Sequence, residues 1–143
     1  MLQITPDVKG GVFLACDDAV AMLPHLSGSN CLVYRLEAAD VYIISGSCQY
    51  SHDIDVHLNH LETVLDVLRG KKVLIVIDSN AHSPTWFSDR RQYVGCSPEN
   101  EHQKQRTEGF INSRNLILHN RENQPSIFGE PSGESNIDLT LTT

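Results

Sequence analysis

The segment from Lys72 to Ser83 constrains this chain more than any other part of its sequence. Five aliphatic residues, Val73 to Ile77, are followed directly by the sequence Asp-Ser-Asn-Ala-His. Such an apolar run next to a polar cluster predicts a strand that is buried on both faces. Strand side chains alternate, so an extended backbone points Asp78, Asn80 and His82 the same way, at the strand end where open α/β sheets bind ligands. The alternative is an Asx-type turn that only ends the strand.

Composition limits the functions that this chain can have. Its 143 residues carry a net charge of −7, from 11 Lys and Arg against 18 Asp and Glu. This balance excludes a protein held to nucleic acid mainly by a basic surface, although not a nuclease in which a metal ion contacts the phosphate. The length and the 40% hydrophobic fraction predict one domain over residues 1–143. No stretch resembles a membrane span, a signal peptide or a transit peptide, so we expect no membrane partner and a location in the nucleus or cytoplasm.

We interpret the four cysteines as reduced thiols. They stand far apart in the sequence and form no Cys-x-x-Cys pair; they are Cys16, Cys31, Cys48 and Cys96. This spacing fits neither a disulfide framework nor a structural zinc site. Buried free cysteine behaves instead as a small hydrophobic residue.

Hydrophobic periodicity predicts an α/β chain. The clearest helix runs from about Asp53 to Leu68, with leucines on one face and Gly70 after its end. Two strands at 32–36 and 41–45, joined by four residues, predict a hairpin. We further expect strands at 11–16, 116–118, 126–128 and 137–141, short helices at 19–26 and 106–113, and a long loop at 88–105.

Three further features of the sequence allow two interpretations each. His57 and His60 have a spacing that can hold a metal, but polar neighbours and the lack of a third ligand favour a solvated helix face. Trp86 follows the polar cluster and either fills the core or contacts a ligand. Asp138 lies on the strand at 137–141 between apolar residues, where a carboxylate is costly unless it is paired. It is therefore either hydrogen-bonded to backbone or directed at a partner in a site.

Two sequence blocks together resemble a known family. The first is Asp-x-Asn-Ala-His-Ser-Pro-x-Trp at 78–86, and the second is Ser-Asn-Ile-Asp-Leu-Thr-Leu at 135–141, with Arg106 and Phe110-Ile111 on a helix between them. In this order they are similar to the endonuclease/exonuclease/phosphatase superfamily, and more narrowly to the apurinic-endonuclease-like domain of non-long-terminal-repeat retrotransposons. The match runs from about Gly11 to the end. It implies a partial two-sheet, four-layer α/β sandwich of the DNase-I-like type.

The resemblance also implies a chemistry, the magnesium-dependent hydrolysis of DNA phosphodiesters that nicks a target site. In this interpretation Asp78 orients or deprotonates the attacking water and stands next to Mg²⁺, and Asn80 donates to the scissile phosphate. Asp138 orients and charges a catalytic histidine. Contacts to phosphate or DNA are expected from Asn80, His82, Trp86 and Ser47.

The chain departs from the family pattern at both ends. The strands that carry the asparagine and glutamate holding the metal are not found, and the sequence stops before the family's Asp-His pair. A tyrosine expected after the strand ending at Ser45 is replaced by Ser47, which is otherwise an ordinary loop residue. We therefore expect a truncated domain that is inactive as it stands and that self-associates through exposed sheet edges. The alternatives are a non-catalytic remnant or binding module of the same fold, and another phosphoesterase of the superfamily.

Overall fold

A computed structural model describes residues 19–48, 53–88, 98–121, 128–130, 133–135 and 138–143. This part of the chain contains both strands and helices, as the sequence predicts. The strands are β1 Val20–Met22, β2 Cys31–Leu36, β3 Val41–Ser47, β4 Lys72–Asp78, β5 Ile117–Leu118, β6 Phe128–Glu130, β7 Gly133–Ser135 and β8 Asp138–Thr142. The helices are α1 Ile54–Val67 and α2 Pro98–Ser113, and a short 3-10 turn covers Pro84–Trp86.

Six of the strands form one mixed sheet in the order β1-β2-β3-β4-β8-β5. The predicted hairpin is confirmed, since β2 pairs antiparallel with β3 across the four residues 37–40. β3 and β4 are parallel, with α1 as the connection between them, and β8 pairs antiparallel with both β4 and β5. β6 and β7 form a separate two-stranded sheet. β4 and β8 thus lie side by side although they are distant in sequence.

Helix α1 covers one face of this sheet. The Asp53 side chain caps its first turn by accepting from the Asp55 backbone N–H at 3.0 Å, and Gly70, in the left-handed region, follows its end. The helix predicted from Asp53 to Leu68 is therefore confirmed. Its apolar side packs on alternate residues of the central strands in one buried cluster, which includes Leu58, Leu61, Leu65, Val33, Ile44, Ile75, Leu139 and Leu141.

Strand β4 is not buried on both faces, contrary to the sequence-based expectation. Val73, Ile75 and Ile77 point to α1 and are buried, while Leu74 is half-buried and Val76 is 41% exposed. A continuous aliphatic run does not reveal which of its two faces the rest of the chain covers.

Two predicted elements at other positions are wrong. Residues 20–22 form strand β1 on the edge of β2 instead of part of a helix, since strand pairing is available there and Pro24 disfavours helix. The predicted loop at 88–105 contains the first half of α2, which begins at Pro98. Of the strand predicted at 126–128, Phe128 lies in β6, and the strand predicted at 11–16 falls outside the described residues.

The edges of the six-stranded sheet are short within the part of the chain that the structure describes. β1 has three residues and β5 has two. Short edge strands reduce the tendency of a sheet to pair with another chain. Self-association through sheet edges therefore stays a prediction. No helix among the described residues has the length and hydrophobicity needed to cross a membrane.

Candidate active site at the polar end of the sheet

Three polar side chains lie in a row where β3, β4 and β8 meet. Ser47 is the register partner of Asp78, and Asp78 is in turn the register partner of Asp138. Register partners on neighbouring strands project to the same face of a sheet. The carboxyl ends of β3 and β4 and the amino end of β8 therefore bring together side chains that the sequence separates widely.

The two carboxylates of this row are half-buried and electrostatically disfavoured. Burial raises the pKa of Asp78, an effect that a hydrogen bond from the Asn80 backbone N–H opposes. Burial also raises the pKa of Asp138, and the nearby negative charge of Asp78 raises it further. Among the residues that the structure describes, no Lys, Arg or His makes an ion pair with either one. The site thus contains two negative charges, and no positively charged residue in the described part of the chain pairs with them.

Asn80 is fixed at this edge by its backbone and by its side chain. Its φ of 49° lies in the left-handed region, which asparagine tolerates better than most residues. Its N–H donates to Asp78 Oδ1 at 3.1 Å, and its Nδ2 donates to the Cys48 carbonyl at 2.7 Å. The Asx turn considered as an alternative from the sequence is therefore present, and it is what places Asn80 next to Asp78.

His82 is half-buried in the loop that follows. Its Nδ1 lies 2.9 Å from the hydroxyl of Ser88, which is fully buried. This contact orients the imidazole relative to the end of the sheet. His82 thus lies in the loop that follows β4, and its contact with DNA stays a prediction.

Trp86 does not lie at a rim where it can contact DNA, and that expectation is wrong. Its side chain is 0% exposed, and its indole Nε1 donates to the Ala81 carbonyl at 3.1 Å. A buried Tyr or Trp needs such a partner for its polar group. Trp86 therefore fills the core beneath the loop, which is the alternative that the sequence left open.

The family model described as "Endonuclease-reverse transcriptase" matches residues 40–143. The chain belongs to this endonuclease–reverse transcriptase family. It is 27% identical over 136 residues to a retrovirus-related Pol polyprotein from type-1 retrotransposable element R1 of Bradysia coprophila. The aligned region covers 95% of the chain and 13% of that polyprotein. It is 22% identical to a putative 115 kDa protein in type-1 retrotransposable element R1DM of Drosophila melanogaster, over 78% of the chain and 11% of that protein. The chain thus spans little more than a tenth of these relatives.

A solved structure shows the same fold. The chain superimposes on the endonuclease domain of TRAS1, a telomere-specific non-LTR retrotransposon, with a TM-score of 0.69 and 22% identity, covering 89% of the chain and 56% of that domain's chain. The predicted α/β fold of the DNase-I-like type is confirmed, and so is the resemblance to retrotransposon endonucleases.

The family motif did not reveal two supports of the site. One is Cys48, whose N–H donates to the Asp78 carbonyl at 2.7 Å and whose carbonyl accepts from Asn80. The other is Glu108 on α2, which accepts a hydrogen bond from the hydroxyl of Ser83. Both act through backbone geometry or through contacts between distant segments, and neither leaves a local sequence pattern.

His57 and His60 do not form a solvated helix face, contrary to the expectation from their neighbours. His57 is 8% exposed, and His60 Nε2 lies 2.9 Å from the Leu26 carbonyl. His57 shares a helix face with Leu61 and Val64, at spacings of four and seven residues, so it turns toward the sheet. Both histidines line a cavity of about 150 Å³ that reaches the end of β3.

The free thiols of Cys31 and Cys48 line the same cavity. Burial raises the pKa of each to about 12, so both thiols are protonated at neutral pH. Cys16 and Cys96 lie outside the described residues.

A second acidic cluster stabilises the packing of the helices. Oxygen and nitrogen atoms of Asp53, Asp55 and His102 lie within 4.8 Å of one another. Asp55 forms an ion pair with Arg106 on α2 and lies 3.5 Å from His102 Nε2. The Arg106 guanidinium lowers the pKa of the Asp55 carboxyl. The negative charge of this cluster is thus already compensated within the protein, and we assign it a structural role.

Proposed function

We propose that this chain carries part of the active site of a magnesium-dependent endonuclease that nicks DNA by phosphodiester hydrolysis. The observation that carries the proposal is the pairing of Asp78 with Asp138 across β4 and β8, with Asn80 fixed beside them. A sheet whose polar end holds two disfavoured carboxylates needs a functional reason for them, since substitution by neutral residues relieves the repulsion. Membership of the endonuclease–reverse transcriptase family supports the same assignment.

The donor set at this edge fits a hard divalent cation. Mg²⁺ prefers carboxylate oxygens and binds through one or two of them together with water and phosphate. Asp78 has a half-buried carboxylate without a described counter-charge, so a cation beside it offsets an existing electrostatic cost. Asp78 is the residue of this chain that we assign to such a cation, which supplies charge stabilisation for a phosphodiester when bound.

The described side chains suit the remaining roles. Asp78 is also assigned to orient or deprotonate the attacking water, a role in which a carboxylate serves as a general base. The Asn80 amide has two N–H groups, of which one donates to the Cys48 carbonyl, so the other is available to a phosphate oxygen. Asp138 is assigned to orient an imidazolium, which its negative charge stabilises. Ser47 and His82 are assigned to phosphate or DNA contacts.

Nicking of supercoiled plasmid tests this proposal. Since the chain as given is expected to be inactive, the assay uses a domain that also carries the family's metal-binding strands and catalytic histidine. In that domain we expect Mg²⁺-dependent conversion of supercoiled to open-circular plasmid that EDTA stops and that Asp78→Ala lowers by about a thousandfold, within the range for a general base. Asp66→Ala is the matched control, because Asp66 is an exposed aspartate on the last turn of α1, which leads to the opposite end of β4. It is expected to nick like the wild type.

The opposite result separates the alternatives. Folded protein that binds duplex DNA and does not nick it in Mg²⁺ supports a binding module of the same fold. Nicking that Asp78→Ala leaves intact places the active site elsewhere. Cleavage of small phosphomonoesters in place of DNA favours another phosphoesterase of the superfamily.

A further inference from the structure

One carboxylate on helix α2 accepts hydrogen bonds from the loop that follows β4. Glu108 on α2 accepts a hydrogen bond from the Ser83 hydroxyl and, at 3.3 Å, from the Thr85 hydroxyl. Ser83 is 0% exposed, so its hydroxyl depends on a protein partner. We call the contact of Glu108 with Ser83 and Thr85 the Glu108 clamp. It joins residues of the loop to a helix that is more than twenty positions away in the sequence.

The Glu108 clamp is connected to His82 by a short series of hydrogen bonds. The Ser83 carbonyl accepts from the Ser88 N–H at 2.9 Å. The Ser88 hydroxyl lies 2.9 Å from His82 Nδ1 and is fully buried. Ser83 therefore donates its hydroxyl to the Glu108 carboxylate, and its backbone carbonyl sets the position of Ser88. A displacement of Ser83 changes the group that orients the His82 ring.

The helix that carries Glu108 is itself fixed. Arg106, two residues earlier on α2, forms an ion pair with Asp55 in the first turn of α1. The carboxylate of Glu108 is thus held relative to the same helix that packs on the sheet. Hydrogen bonds give the loop a defined direction as well as a contact, whereas apolar packing alone fixes direction less closely.

We propose that Glu108 is a positioning residue that holds His82 at the DNA-facing edge through Ser83 and Ser88. The DNA contact of His82 rests on the proposed function, but its positioning by Glu108 does not. Glu108 does not touch the reacting groups. Its effect is on substrate binding, because a small displacement of a contact group weakens a productive complex by a large factor.

Two substitutions of Glu108 separate the hydrogen bonds from the charge. Glu108→Gln keeps an acceptor oxygen for both hydroxyls, whereas Glu108→Ala removes it. Glu37→Ala is the matched control, because Glu37 is an exposed glutamate in the β2–β3 connection and its loss changes the net charge equally. Ser83→Ala breaks the Glu108 clamp from the loop side and replaces Glu108→Ala if that variant does not fold.

The readouts are the ¹⁵N and ¹H signals of the His82 ring, and the steady-state kinetics of plasmid nicking by a domain that also carries the family's metal-binding strands and catalytic histidine. For Glu108→Ala we expect shifted His82 signals, an unchanged Trp86 indole signal, and a KM for DNA raised about tenfold at constant kcat. We expect Glu108→Gln and Glu37→Ala to match the wild type. His82 signals that stay unchanged in Glu108→Ala and Ser83→Ala overturn the proposal, as does a Glu108→Gln variant that behaves like Glu108→Ala. The His82 signals decide the matter even if the wild type does not nick DNA, in which case only the proposed function fails.

Discussion

In a domain that carries the family's catalytic histidine, Asp138→Asn is expected to lower the rate of Mg²⁺-dependent nicking by about a thousandfold, and it is expected to make the folded protein more stable. The loss of activity follows from removing the negative charge that we assign to an imidazolium, an effect within the range of a displaced acid–base group. Asparagine keeps the size of the side chain, so strand β8 is not disturbed. The rate is measured with supercoiled plasmid, and the stability as the melting temperature without metal.

The gain in stability follows from the raised pKa of Asp138. Folding disfavours its ionised form, because the carboxyl is half-buried and faces the charge of Asp78. The neutral amide avoids this cost, so we expect the melting temperature to rise by a few degrees at pH 7. Solvent screening keeps the gain small, since the group is only partly buried.

The pH dependence of this gain has a definite sign. A carboxyl whose pKa is raised on folding destabilises the protein above that pKa, and the penalty disappears as the pH falls toward the unfolded-state pKa of about 3.9. The difference between Asp138→Asn and the wild type should therefore be largest near neutral pH and vanish in acid. Asp66→Asn is the control with the opposite sign, because Arg114 lowers the pKa of Asp66 and its neutralisation loses an ion pair. A lower melting temperature for Asp138→Asn than for the wild type at pH 7 contradicts the electrostatic assignment.

Trp86→Ala is expected to cost about 3–5 kcal/mol of the free energy of unfolding. Trp86 has no exposed surface, packs in the main core cluster and donates its indole N–H to the Ala81 carbonyl. Its removal creates a large cavity and leaves that carbonyl without this donor. Because whole domains are stable by only about 5–15 kcal/mol, this substitution removes a large share of the free energy of unfolding.

Phe87→Ala is the matched control for this substitution. Phe87 is the adjacent aromatic residue and is 43% exposed, so its truncation should change the free energy of unfolding far less. Urea denaturation followed by far-UV circular dichroism compares the two midpoints, since the tryptophan fluorescence is lost in one variant. Equal midpoints for Trp86→Ala and Phe87→Ala argue against a core role for the indole.

Local sequence patterns predicted the parts of the fold that depend on neighbouring residues. Hydrophobic periodicity, together with the capping and turn residues at the ends of each element, predicts the helix from Asp53 and the hairpin around residues 37–40. The residues on either side of Asp78 and Asn80 place these two at a strand end. The pairing of Asp78 with Asp138 has no local signal. The resemblance to a family gives each of the two residues a catalytic role but does not predict their pairing, because register between distant strands is set by the whole sheet.

The errors arose where burial depends on distant segments. Sequence reasoning begins helix α2 too late because Gln103, the buried residue among 101–105, is polar, so no apolar periodicity marks this part of the helix. Trp86 was placed at a rim because the sequence does not show which side chains cover a loop. His57 was assigned to solvent from its polar neighbours, although its own helix face packs against the sheet.

The position of β8 inside the sheet, between β4 and β5, bears on how this domain forms during translation. Until the ribosome has released residues 138–142, the outer edge of β4 lacks its partner and the β5 segment has no strand to join. Such non-local pairing is slow, and it leaves a nascent strand open to wrong partners. The two carboxylates meet in the same late event, so the proposed active site forms together with the closing of the sheet. A nascent chain that lacks this strand is therefore expected to be harmless to DNA but dependent on chaperones.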